Sequence, residues 1–258
     1  MLLGYTWYQY ESILLIIVRV TALLAVAPVF SDRRIPAYAK IGLGVIIGIL
    51  IVNVIPLSAS HYTSTLAFSA AIIRESLVGV TIGYTASLLF MGIQFSGQFV
   101  SLQIGFAAAQ LFDPSSQNNV PVVGEFYYIV AVLLYLSLGG QRFLIEALRQ
   151  SFDVIPLNTM RFHETFFTYL TQLSADVFVI ALKIAAPIFI TILLTEISLG
   201  LLARLVPQMN IFIFGFPLKI LAGMLMIAIS MPIFGRVFQQ LYLGSQSDVM
   251  RIIQMLRP

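Results

Sequence analysis

Apolar positions occupy long blocks of the chain, and short polar stretches separate them. A first block covers about residues 11–29 and ends at Ala-Pro-Val-Phe, residues 27–30, where proline removes a backbone donor and stops a helix. A second block, residues 41–57, carries Gly44 and Gly48 one turn apart, a spacing that lets two helices approach closely. Pro56 and the polar residues 58–65 close it as a hairpin. The third block, about residues 66–106, exceeds the ~20 residues that one membrane span needs. It reads either as one long tilted helix or as two helices broken near residues 92–97. Small residues recur at every fourth position, at Gly79, Gly83 and Ser87 and again at Gly97, Ser101 and Gly105, so close packing is expected along one face. A fourth block, residues 122–138, holds Tyr127, Tyr128 and Tyr135, a residue type that marks membrane interfaces. Residues 143–152 and about 165–173 read as short amphipathic helices, with Leu144, Leu148 and Phe152 on one face of the former. A fifth block starts near Ala175 and includes Lys183 and Pro187. A sixth, residues 212–234, precedes a polar amphipathic tail at about residues 236–258.

Two polar interruptions stand out. Residues 204–219 read Arg-Leu-Val-Pro-Gln-Met-Asn-Ile-Phe-Ile-Phe-Gly-Phe-Pro-Leu-Lys. Pro207 and Pro217 each break or kink a helix, and Gly215 permits backbone angles closed to other residues. The expected structure is a helix, a tight irregular connection, and a second helix returning beside the first. Irregular backbone at membrane depth needs protein or water to satisfy its polar groups, which sets this stretch apart from a lipid-facing loop. An ordinary turn with Arg204 and Lys219 at the water boundary is the plainer alternative. The other interruption, residues 105–121, joins small residues and two aromatics to the turn Asp113-Pro114-Ser115-Ser116. It has no Lys or Arg and one acid, so it suits a neutral pore plug, because apolar constrictions block water by dewetting. A solvated connection is the alternative.

Composition adds a boundary condition: 59% of the 258 residues are hydrophobic and 10% are charged. A soluble domain carries roughly 25% charged residues, so this chain belongs in a bilayer or inside an assembly. The absence of cysteine excludes disulfides and thiolate chemistry. The net charge of +3 comes from scattered basic residues and does not suggest nucleic-acid binding. Arg33, Arg34 and Lys40 follow the first block, which reads as an uncleaved membrane segment with these cations on the cytoplasmic side. Six simple spans would then put both the basic residues 142–161 and the C-terminal arginines outside, against the positive-inside rule. Arg19 lies inside the first block, where a charge is costly, and reads as either a buried polar contact or a snorkelling side chain. Arg74 and Glu75 are adjacent and diverge on a helix, so each is expected to meet another partner, within this chain or outside it. Glu196 and Arg204 lie near one helix face. Unpaired buried charge is expensive, so partners for Glu196 and Arg204 are expected on other helices, mostly of other subunits. No nucleotide-binding loop is present, and His61 and His163 lack metal-ligand spacing, so neither an enzyme nor a cofactor site is expected.

Ala-Arg-Leu-Val-Pro-Gln-Met-Asn-Ile-Phe, followed by Gly-Phe-Pro-Leu-Lys-Ile, resembles the signature of the flagellar biosynthetic protein FliR family. The resemblance covers most of the chain and implies an all-α membrane protein, residues 1–258 forming one export-gate domain. It implies kinked helical hairpins packed in a multi-subunit helical gate, raised above the bilayer plane, in place of a simple six-span bundle. It further implies a core channel subunit of the flagellar type III protein export gate, in the bacterial inner membrane at the flagellar basal body. Implied partners are the gate's P and Q subunits, the B and A export components, and unfolded flagellar proteins as substrates. Gly105, Phe106, Ala107, Leu111, Phe112, Asp113 and Pro114 are the implied plug and gate. Arg74, Glu75, Glu196, Arg204, Pro207, Gln208, Asn210, Gly215, Pro217 and Lys219 are the implied packing and closure residues. A subunit of a virulence secretion system, a small secondary transporter and a purely nucleating scaffold are the competing readings. A transporter predicts internal repeats, and none is evident between the halves.

Overall fold

The computed structural model describes residues 7–32, 34–55, 64–105, 122–208 and 211–258. Seven α-helices account for nearly all of them: α1 (Trp7–Val26), α2 (Ala37–Val52), α3 (Thr65–Ile104), α4 (Val122–Ser137), α5 (Gly140–Val154), α6 (Glu164–Leu205) and α7 (Ile211–Met255). Helices α1, α3, α6 and α7 are long and apolar enough to cross a membrane, and α4 with α5 adds a fifth span if that bent pair counts as one. The chain is an all-α, multi-pass membrane protein. Several hydroxyl groups inside these helices are satisfied locally. Ser76, Thr85, Thr191 and Thr195 each donate to the carbonyl four residues back, so they place no unpaired polar group in an apolar setting.

The described chain forms two compact units. The first comprises Met1–Leu88, Leu136–Leu173 and Leu243–Pro258. Here α1 is the central helix, with Leu15, Ile16, Arg19, Val20 and Leu23 buried. The glycine stripe of α3 lies on it. A Cβ at Gly79 would collide with the Arg19 carbonyl, and one at Gly83 would sit 2.7 Å from the Leu23 carbonyl oxygen. Gly44 and Gly48 of α2 face Thr21 and Ile17 in the same manner. The close packing expected of both glycine pairs is therefore present. After α1 the chain turns through Ala-Pro-Val-Phe with Val29 at φ 70, a left-handed angle unusual for a β-branched side chain.

The second unit comprises Leu89–Tyr135 and Ser174–Tyr242. Its core is aromatic. Phe90 meets Tyr135 edge-on at 5.4 Å, and Tyr127 stacks on Phe234 at 5.1 Å. Tyr127 and Tyr135 are 2% and 3% exposed, so they are interior residues and not interface markers. Their rings bury large area, and the neighbouring aromatics supply edge and face contacts.

Helix α3 runs unbroken through residues 92–97, the first of its two alternatives. Three boundaries differ from the sequence reading. The amphipathic residues 165–173 are the first turns of the 42-residue α6, and the tail is the last part of the 45-residue α7. Irregular backbone in the 204–219 stretch is shorter than expected, because α7 resumes at Ile211 and carries Pro217 within it.

Candidate functional site

The stretch 105–121 begins at Gly105, which two close approaches and a turn position in the second unit. On α3, Gly97 lies against Gly124 of α4, so close that a Cβ there would overlap the Gly124 backbone. Ile104 ends α3 fully buried, in the space that the missing side chain of Gly223 leaves on α7. Gly105 then takes φ +95, and a Cβ on it would lie 3.1 Å from the Phe216 ring. Only glycine adopts that angle without strain. The structure thus brings Gly105 against the Gly-Phe-Pro-Leu-Lys motif. Phe106, Ala107, Leu111, Phe112, Asp113 and Pro114 lie outside the described residues, as does Asn210.

The motif has its own architecture. Helix α6 ends at Leu205, with Arg204 in its last turn, where a cation complements the helix dipole. Pro207 and Gln208 are exposed in the connection, and Pro217 is exposed on α7. Gly215 is buried. Lys219 reaches back to Glu196 at 2.5 Å, tying α7 to α6. Both side chains are partly exposed, which limits the pair to about 0.2–1 kcal/mol. Glu196, Leu199, Gly200, Phe216 and Lys219 line a cavity of about 410 Å³ on this face. Gly200 has open space where a side chain would project.

The first unit holds the other expected charges, joined in a buried node. Arg19 is 0% and Glu75 1% exposed, and Arg19 Nε donates to Glu75 Oε2 at 2.5 Å. The remaining guanidinium nitrogens donate to the carbonyls of Ser151 and Ile155, both at 3.1 Å, and to Ser151 Oγ at 3.2 Å. The Phe152 ring centroid lies 4.1 Å from Arg19 Cζ. Glu75 Oε1 accepts from the Asn158 backbone N–H at 2.8 Å, and Arg74 donates to the Asn158 carbonyl and side chain. Arg74 and Glu75 therefore diverge as expected, and each finds a partner. The partners of Arg74 and Glu75 lie within this chain, one of the two places left open for them, and the partner of Glu196 is Lys219 of this chain. Exposed Arg204 has no ion-pair partner among the described residues. The Arg19–Glu75 match is foreshadowed in the sequence only by two opposite charges placed in separate apolar blocks.

No group of His, Asp or Glu among the described residues could hold a metal ion. His163 is exposed, with Nδ1 3.2 Å from the Met255 carbonyl. His61 lies outside the described residues.

Residues 10–244 match the family model described as "Bacterial export proteins, family 1". The chain is 36% identical over 220 residues to the flagellar biosynthetic protein FliR of Pectobacterium carotovorum, covering 84% of this chain and 82% of that protein. The FliR of Escherichia coli K12 is 31% identical over 226 residues, covering 88% and 86%. That of Bacillus subtilis 168 is 30% identical over 231 residues, covering 87% of each. The match spans the buried charge node, the loop root and the motif that Lys219 ties down. This chain belongs to the bacterial export protein family 1, among the flagellar biosynthetic FliR proteins.

Proposed function

We propose that this chain is a core channel subunit of the flagellar type III export gate, which passes unfolded flagellar proteins across the bacterial inner membrane at the basal body. Membership of the family over residues 10–244 carries this reading. It assembles with the gate's P and Q subunits and works beside the B and A export components. Two features support a life in an assembly. Large apolar side chains are exposed on α6 and α7, including Phe189, Leu193, Leu218 and Leu225. The cavity beside Gly200 leaves room for a neighbour's side chains. The charge-poor residues 105–121 serve as the channel plug, rooted through Gly105 on Phe216.

Deletion of the chain from its own bacterium abolishes secretion of hook and filament proteins, and a plasmid copy restores it. Immunoblots of culture supernatant report the result. Undiminished secretion in the deletion strain would remove the proposal. For the plug, deletion of Ala107–Gln110 in an assembled complex raises ion leakage across the membrane. Wild-type leakage at wild-type complex levels would reject the plug and leave the export role standing.

A further inference from the structure

Lys183 lies near the middle of the 42-residue α6, with exposed Phe178, Val179 and Leu182 in the turn before it. It is exposed, and among the described residues it has no ion-pair partner. A cation left in lipid at such a depth costs about 2.5–3.5 kcal/mol. Lys183 also borders a cavity of about 250 Å³, with Tyr127, Pro187, Ser230 and Phe234 among its walls. Lys183, Tyr127 and Ser230 are the polar residues among its walls.

Among the described residues of the second unit the acids are Glu125, Asp176 and Glu196, and Lys219 takes Glu196. Lys183, Arg204 and Arg236 are exposed cations without an acid of their own among the described residues. From this we infer that the pocket at Lys183 and Pro187 receives the carboxylate of an Asp or Glu side chain carried on an apolar membrane helix of a partner polypeptide. The carboxylate pairs with the ammonium and accepts from the Tyr127 hydroxyl, since the Ser230 hydroxyl already donates to the Ile227 carbonyl, and its helix covers the exposed apolar turns on either side. An anionic lipid fits less well, because its phosphate stays at the membrane surface while this pocket lies along an apolar stretch. The inference rests on the reading that the chain works inside an assembly, and it adds the chemistry of one contact.

The test uses membranes holding the full chain with its native complement of export proteins. Dicyclohexylcarbodiimide, an apolar reagent, joins an amine to a touching carboxylate as an amide. Mass spectrometry of the digested complex should find Lys183 joined to an acidic residue in an apolar segment of another polypeptide. Lys183→Met and Lys183→Glu should each cut the recovered complex at least about tenfold, as expected for loss of a desolvated charge pair. Chain level in the membrane and helix content should stay as in wild type. Changing the cross-linked acid to Lys should restore assembly of Lys183→Glu. A wild-type complex in which Lys183 forms no cross-link, or joins an acid of its own chain, overturns the inference. So does an undiminished Lys183→Met complex, including one that has lost only bound phosphatidylglycerol in native mass spectra. If the wild-type chain recovers no complex at all, the assembly reading itself falls. Where Lys183→Met fails to accumulate, cross-linking of the unaltered chain still decides the matter.

Discussion

Removing one member of the Arg19–Glu75 pair should damage the protein far more than removing both. Arg19→Met leaves the Glu75 carboxylate 1% exposed, with only the Asn158 N–H as a donor. It also frees Ile155 O and one bond to Ser151 O. An uncompensated charge of this kind costs about 3–5 kcal/mol. For a chain of this size each kcal/mol moves Tm by roughly 2–4 °C, so Arg19→Met should lower it by roughly 10 °C. Glu75→Met strands the guanidinium, which keeps its bonds to Ser151 and Ile155, and should cost a similar or somewhat smaller amount. The double variant removes both charges. What remains is the loss of hydrogen-bond partners at Ile155 O and the Asn158 N–H, about 1–3 kcal/mol together. The cycle should therefore show a coupling of at least about 3 kcal/mol between the two positions. Circular dichroism melts at 222 nm, on full-length chain in one detergent at one concentration, measure all four forms. A single variant within about 1 kcal/mol of wild type, or a double variant worse than both singles, would refute the reasoning. It would mean that water or lipid head groups reach a node that the structure shows closed.

Two substitutions and a truncation probe other points. Gly97→Val forces a side chain into the Gly124 backbone; overpacking of this sort costs about 1–3 kcal/mol, seen as a lower melt and reduced export. Val29→Gly relieves the left-handed angle at φ 70 and should raise Tm by a few degrees, an equivalent of about 1 kcal/mol, with a fall arguing that the turn is set otherwise. Truncation after Tyr242 removes buried Val249, Ile252, Ile253 and Leu256, each worth about 1.5–3 kcal/mol, and should abolish the cooperative melt of the first unit.

Much of this architecture is written in the apolar blocks, because a span needs a long run of oily residues and few other folds tolerate one. Where helices end was less legible. Periodicity reports which face is wet, and says nothing of whether the backbone continues. Residues 165–173 looked amphipathic and separate, yet no Pro or Gly lies between them and the next block, so α6 runs on. Gly235 and Gly244 cost α7 only about 1 kcal/mol each, less than packing of Phe238 and Val249 returns. Pro217 and Pro232 each remove a helix bond from α7, yet the helix runs on through both. The tyrosines of α4 were legible as aromatic anchors, but the direction they face depends on which helices cover them. Partner choice was hidden for the same reason. Arg74 and Glu75 could be seen to diverge, whereas Asn158 and Arg19 come to them only through the packing of α1 and α3 and the turn after α5.

The helix lengths carry a consequence of their own. At 1.5 Å per residue, α3, α6 and α7 are each on the order of 60 Å long, about twice the hydrocarbon thickness of a bilayer. Beyond the isolated Phe167, the exposed large apolar side chains of α6 extend from Phe178 to Leu205, and those of α7 from Phe214 to Leu243. Each band is roughly 40 Å along its axis. To hide 40 Å inside about 30 Å of hydrocarbon a helix must tilt by roughly 40°, the upper limit of observed tilts. A smaller tilt leaves oily turns in water. Protein neighbours remove the conflict, since they cover apolar surface at any height. Chain made without its partners should therefore associate with itself or be degraded, and light scattering in mild detergent would report it. A stable, monodisperse monomer would show that lipid and detergent alone satisfy α6 and α7.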